Sequence, residues 1–277
     1  MGTSHRHHAT VAGEPNWGQT SSAVSYLAKA VEKGKDLDNN PPSNLTPKAI
    51  GRKQRSIDNR VRDNYRKAVS RLIKAAGGRK AVASGKSRVI GHAGIVLAGS
   101  WLQAMTEIRE KGLDSWLKKR GIDTSEGKSV HDIFEIITGF IESDITSLDD
   151  TAAQAALQYT MGLIENRMED DDVEQTLDDI VSGEDVCDYL DQFFGFYVYS
   201  HLSQDFSEKL EKEKGTEVKN LAMEEIRDLI IDDVSRGVNG KNARDLDWSS
   251  EEGNAFMQQE FDKIIDALTQ GELKDED

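Results

Sequence analysis

Proline is the residue that most constrains this chain. Only four prolines occur in 277 residues, two of them adjacent (Pro41, Pro42), and helix-forming residues dominate after Asn44. A proline inside a helix removes an N–H donor and clashes with the preceding turn, so its scarcity leaves room for long helices. Strict alternation of Val, Ile, Thr and aromatic residues, the mark of a half-buried strand, is also scarce. Together these features predict an all-α fold: an irregular multi-helix bundle with a flexible N-terminal arm. No period of roughly 20–50 residues recurs, so a repeat array is not expected.

Apolar spacing places the helices. Residues 1–19 show no helical period and carry Gly2, Gly13, Pro15, Gly18 and a lone Trp17, which reads as the arm. A first helix is expected from about Ser21 to Lys33, capped by Thr20 or Ser21, with Val24, Leu27, Ala28 and Val31 inward and Gly34 as its stop. Residues 36–47, centred on Asn39-Asn40-Pro41-Pro42, read as a linker. A second helix is predicted over Ile57 to Ala76, with Val61, Tyr65, Ala68, Val69, Leu72 and Ile73 on one face and Gly77-Gly78 ending it. A third, from Ser87 to Lys111, contains Gly91, Gly94 and Gly99. Interior glycines cost about 1 kcal/mol each against Ala, so they point to close helix packing. Leu113–Arg120 reads as a basic amphipathic turn or short helix, and further helices are expected over about Val130–Ile141, Leu148–Met168, Val186 to about Lys212, Glu217–Ser235 and roughly Gly253–Leu268. The aromatic cluster Tyr189, Phe193, Phe194, Phe196, Tyr197 and Tyr199 reads as core.

Charge divides the chain. Residues 1–128 carry 24 Lys and Arg against 11 Asp and Glu, whereas residues 129–277 carry 11 against 39. Three regions follow: an arm over 1–19, a basic helical region over 20–128 and an acidic helical region over 129–277. The halves either face different partners or attract each other within one fold. The apolar fraction is 37%, below the usual figure of about 45–50%, and 31% of residues are charged. Part of the chain is therefore expected to be tail, linker or solvated helix surface.

Several function classes lose support. The one cysteine, Cys187, permits no intrachain disulfide, and its acidic neighbours Asp185 and Asp188 oppose thiolate formation. No apolar run approaches the roughly 20 residues of a bilayer span, and the polar, histidine-bearing N-terminus is unlike a signal peptide. A cytoplasmic protein with no membrane partner is expected. No Walker loop, dinucleotide fingerprint, nucleophile elbow or HExxH occurs, so a non-enzymatic role is expected, with no catalytic residue and no cofactor. His5, His7 and His8 lack the second ligand pair of a structural zinc site and read as solvated tail. His92, His131 and His201 are isolated. Asp36, Asp38 and Asn40 begin like a calcium loop, but Pro41 stands where Gly is needed; Asp245 and Asp247 start another with Ser250 in that place. No metal site is expected.

Two features carry functional weight. The second helix bears Arg60, Arg62, Arg66, Lys67, Arg71 and Lys74, a candidate contact for nucleic acid or a protein partner. Phosphate neutralisation there would release counterions and make binding salt-dependent, although no aromatic platform accompanies these residues and the whole chain is acidic. The other feature is Met1-Gly2-Thr3-Ser4. Removal of the initiator methionine exposes a Gly2 amine whose ordinary pKa of about 7.7–8.0 leaves it partly nucleophilic, and glycine has no side chain to obstruct a narrow pocket. Myristoylation would want Ser or Thr at position 6, where Arg6 stands.

The opening Met1-Gly2-Thr3-Ser4 with its Gly13, Pro15 and Trp17 arm, the basic helix running into Ala75-Ala76-Gly77-Gly78-Arg79, and the glycine-bearing helix from Gly91 to Gly112 with Leu113, Trp116 and Leu117 beyond it form a combination. In these the chain resembles the QatB family of the four-component Qat anti-phage defence systems of bacteria. The resemblance implies a non-enzymatic subunit acting with an ATPase (QatA-like), a QueC-like modifying enzyme (QatC-like) and a TatD-like nuclease (QatD-like). It also implies a chemistry. QueC enzymes use ATP to activate a 7-deazaguanine carboxylate, and a defence relative could join that acyl group to the Gly2 amine, with Thr3 and Ser4 recognised alongside. The rival reading is a nucleic-acid-binding module built on the basic helix at 57–74.

Overall fold

The computed structural model describes residues 15–87, 89–142, 148–167, 185–236, 246–248 and 250–269. Among them every regular element is a helix, in keeping with the proline-poor, non-alternating sequence. In chain order these are α1 (Pro15–Asn39), α2 (Pro47–Ala75), α3 (Arg79–Ala83), α4 (His92–Lys111), α5 (Leu113–Lys118), α6 (Val130–Glu142), α7 (Leu148–Arg167), α8 (Asp185–Arg236) and α9 (Glu251–Thr269). None of them is long and apolar enough to cross a membrane.

α1 and α2 form an antiparallel hairpin. Thr46 caps α2, its Oγ1 accepting from the Ala49 N–H at 3.3 Å, and Pro47 enters at a first-turn position where its missing N–H costs nothing. Leu27, Ala28, Tyr65, Ala68, Val69 and Leu72 are wholly buried along the hairpin.

α8 is two helices in one run. Gly215 sits at φ 81°, ψ 164°, a backbone open to glycine and little else, and the chain reverses there. Across the reversal Gln192 Nε2 donates to Ser235 Oγ at 3.1 Å. Gly195 lies so close to the returning helix that a Cβ would meet Val234 Cγ2 at 2.8 Å. The sequence predicts a break between Lys212 and Glu217, and this is where it falls. α1 runs beside this turn: the Trp17 and Phe206 rings lie 5.1 Å apart, Ser25 Oγ donates to Glu213 at 3.0 Å, and Lys214 donates to Glu32 at 2.9 Å.

The first half of α8 is the centre of the molecule. Phe193 stacks on Trp101 of α4 at 6.5 Å, Phe194 on Phe261 of α9 at 4.7 Å, and Phe196 on Tyr159 of α7 at 4.0 Å. The Tyr197 hydroxyl accepts from the Gly91 N–H at 2.7 Å, and its ring lies on Gly94, where a Cβ would come within 2.4 Å of Cε1. The aromatic cluster is therefore core, and two interior glycines of α4, Gly94 and Gly99, sit under large side chains (Tyr197 and Met257) as close packing requires.

Several boundaries differ from the sequence reading. α1 begins at Pro15, not at Ser21, because Trp17 anchors its first turn on Phe206. The arm reading over 1–19 thus loses residues 15–19, and 1–14 lie outside the described residues. Thr20 is no cap: it is buried within the helix and its hydroxyl donates to the Asn16 carbonyl at 2.9 Å. Gly34 does not stop α1, which continues to Asn39 with Gly34 itself buried beside Ile57 and Gln54 of α2. Asp36 and Asp38 are consequently helical, which removes the calcium-loop reading there. α2 starts ten residues before Ile57, at Pro47, through a polar stretch that shows no apolar face. α4 starts at His92 rather than Ser87, because the Ser87 hydroxyl donates to the Ala76 carbonyl at 2.6 Å and accepts from the Ile90 N–H at 3.4 Å, holding a turn.

The two charge regions share one core. Basic residues of the first half meet acids of the second: Lys35 with Glu217, Arg62 with Asp232 at 3.6 Å, and Arg79 with Asp262 and Asp266 at 2.5 and 2.7 Å. Of the two alternatives the sequence left open, attraction within one fold accounts for these pairs.

Candidate functional site

α2 carries ten Lys and Arg against Asp58 and Asp63. Its core stripe runs through Ile57, Val61, Tyr65, Ala68 and Leu72, so the cations fall on the flanks and the solvent side, and the structure splits the six candidates between them. Arg62 turns inward to the returning half of α8, 3.6 Å from Asp232 and 4.0 Å from Asp233. Arg66 is half-buried beside it, within the field of Asp233. Burial raises the Asp233 carboxyl, and Arg62 and Arg66 oppose that rise. Burial, reinforced by the Asp233 charge, likewise pushes the Tyr65 phenol well above its ordinary value. Arg62 therefore ties the halves together, with the Arg66 charge nearby. Lys74 lies half-buried in the last turn.

Arg60 and Lys67 are different. Both are exposed, and neither meets a carboxylate among the described residues. Arg71 is half-buried, its Nη1 donating to Asn16 Oδ1 of α1 at 3.3 Å. Lys67 and Arg71 form one wall of a groove of about 440 Å³ between α1 and α2, with Asn64 beside them and Gln19 and Tyr26 across from them. Tyr26 is 62% exposed, an unusual state for an aromatic on an otherwise packed helix. The sequence reading missed Tyr26, Asn64 and Gln19. The available signal was Tyr26 standing off the apolar stripe of α1; its position beside Lys67 becomes visible only once the hairpin closes.

Gly2, Thr3 and Ser4 lie outside the described residues, as do His5, His7 and His8. His92 is exposed, His201 is buried edge-on to Tyr197 at 5.0 Å, and His131 lies 3.1 Å from Glu165. Among the described residues no group of three or more His, Cys, Asp or Glu is arranged to hold a metal ion. Cys187 is buried, and burial, with Glu260 and Asp191 nearby, pushes its thiol up to about 11. Asp191, also buried, has its carboxyl raised to about 8 by burial and then by the Glu260 charge. Glu260 is answered on its own helix by Lys263, at 2.6 Å.

These features describe a class: an all-α protein whose basic and acidic halves close on a common core and whose second helix carries a run of exposed cations. A family model described as QatB, Qat anti-phage system associated protein, matches residues 77–268. The chain belongs to the QatB family and is a component of a Qat anti-phage defence system. The match takes in Gly77-Gly78-Arg79, the helix from Gly91 to Gly112 and the Leu113–Leu117 turn that carried the resemblance. It extends through the acidic half, while the opening arm and the basic helix lie ahead of it. No curated protein and no solved structure matches the chain.

Arg79 has a defined structural job within the matched region. Gly77 and Gly78, at φ 103° and 88°, end α2 and turn the chain. The guanidinium of the next residue then grips Asp262 through Nε (2.5 Å) and Nη2 (2.7 Å), and Asp266 through Nη1 (2.7 Å). A planar fork suits this geometry, and an ammonium does not.

Proposed function

We propose that this chain is the non-enzymatic protein substrate of its defence system, conjugated at Gly2 to a 7-deazaguanine by a QueC-like partner. Membership of the QatB family supports the setting, and the Met1-Gly2 dipeptide supports the chemistry. In the reaction the Gly2 amine attacks the ATP-activated carboxyl carbon. A C–N amide bond forms, the bond to the phosphate-bearing oxygen breaks, and the amine proton passes to solvent or a base of the partner. Thr3 and Ser4 enter the partner's pocket with Gly2.

The observation that carries this reading is positional. Residues 2–14, thirteen in all, precede the first turn of α1 at Pro15. At about 3.3–3.6 Å per residue they span up to about 45 Å, enough to place the amine inside another protein while the helical body stays outside. The body then docks on the remaining components, an ATPase and a TatD-like nuclease, within a cytoplasmic assembly.

Intact mass measurement tests the proposal. Co-expression with the active QueC-like partner is expected to add the mass of one deazaguanine acyl group, and Gly2→Pro is expected to abolish that gain. An unchanged mass beside a demonstrably active partner overturns it.

A further inference from the structure

We propose that the α1–α2 groove and the outer face of α2 bind single-stranded nucleic acid. Three observations converge on this reading. The first is the run of free cations. Lys48, Arg52, Lys53, Arg55, Arg60 and Lys67 are all exposed, and none meets a carboxylate among the described residues. This occurs on a chain whose formal net charge is −15, where acids are abundant and the inward cations Arg62 and Arg79 have each found two. Asp232 and Asp233 approach α2 on its inward side, against Arg62, and α2 itself carries ten cations against Asp58 and Asp63. The local field at α2 is therefore positive.

The second is length. From Lys48 to Lys67 the cations extend about 29 Å along the helix at 1.5 Å per residue. A free mononucleotide would occupy only one end of that path; a polyanionic strand follows all of it.

The third is the exposed ring. Strand binding without strict sequence preference combines a cationic track with aromatic platforms on which unpaired bases stack. The sequence of α2 has no such platform on its outer face, but the fold supplies one from α1. Tyr26 stands across the groove from Lys67 and Arg71, with Asn64 and Gln19 offering amide groups to a base edge. A duplex keeps its bases stacked inside and has no use for this ring, which selects a single strand.

The proposal is independent of the Gly2 chemistry, because the groove uses none of residues 1–14. It is tested by fluorescence anisotropy of the full chain with a labelled single-stranded DNA of roughly 16 nucleotides and the matching duplex. The expected result is single-strand binding that weakens steeply as salt rises. Tyr26→Ala weakens it about tenfold, as loss of one stacked base does, while Tyr26→Phe retains it. The combined Lys53→Glu, Arg60→Glu and Lys67→Glu variant loses it and keeps its helical circular dichroism, since all three side chains are exposed. Any of four results overturns the proposal: no binding at low salt, equal affinity for the duplex, indifference to Tyr26→Ala, or displacement of the strand by polyglutamate at matched charge. The last would assign the face to an acidic protein segment instead.

Discussion

At Tyr197 the hydroxyl and the ring face have separate jobs. The hydroxyl satisfies the Gly91 N–H ahead of α4, and the ring covers Gly94 one turn later. A methyl at Gly94 would come within 2.4 Å of the ring, which is itself wedged against Phe193 and Phe261. Gly94→Ala is therefore expected to destabilise the protein by about 1–3 kcal/mol, the usual cost of overpacking, despite the gain in helix propensity. A urea midpoint equal to or above wild type would show that the ring has room to move. Asp191 supplies a residue-scale test with a pH signature. Its folded carboxyl titrates near 8, far above the unfolded value of about 3.9. Between those two values the folded state holds a proton that the unfolded state has lost, so stability is greatest below the unfolded value and falls as pH rises toward 8. Asp191→Asn removes this dependence. Its stability relative to wild type should grow with pH between 5 and 8, by at most about 1.4 kcal/mol per unit. A stability difference that stays constant across that range would disprove the assignment.

The helices differ in how legible they were from sequence, and the reason is physical. α6, α9 and the two halves of α8 carry clear apolar stripes, and their predicted limits fall within a few residues of those observed. The start of α2 and both ends of α1 were hidden. Residues 47–56 are mostly polar, with Ile50 packed on the core, and Thr46 and Pro47 launch the helix there; Pro15 to Gln19 are helical because Trp17 finds Phe206, 189 positions away. Gly34 looks like a stop in sequence and lies inside a continuous helix in space. The candidate site shows the same limit: the cations of α2 were legible, but which of them face Asp232 and which face water depends on where α8 returns. Arg79 gives the element-scale prediction. It ties α3 to α9 through three charge-assisted bonds in a partly shielded position, with its side chain 22% exposed. Arg79→Lys keeps the charge but loses the fork, and is expected to cost about 1–2 kcal/mol. Thermal unfolding of the variant and of Arg79→Ala would check this; a lysine variant as stable as wild type would reduce the clamp to simple charge attraction.

At the scale of the whole molecule, charge and hydrophobic burial lead to the same conclusion by separate routes. The family match begins at residue 77, directly after the α1–α2 hairpin, which suggests a boundary there. The packing does not respect it. Leu27, Tyr65 and Leu72 of the hairpin and Phe206, Leu210 and Ile226 of α8 belong to one continuous core. The hairpin also supplies the cations for Glu217, Asp232 and Asp233. Removing it would leave an apolar face of α8 in water together with three acids stripped of their partners. Like-charge repulsion would then weigh more heavily, since residues 77–277 carry 44 acids against 21 bases. A fragment beginning at residue 77 is therefore expected to retain helical circular dichroism but to lose the sharp cooperative melt of the full chain, because secondary structure survives the loss of specific packing. Adding residues 1–76 in trans should restore part of the transition, by supplying the missing face and its charges together. A fragment from 77 that melts as sharply and at as high a temperature as the intact chain would mean that the hairpin is an appendage. The cationic groove it forms would then be a separable module rather than part of the body.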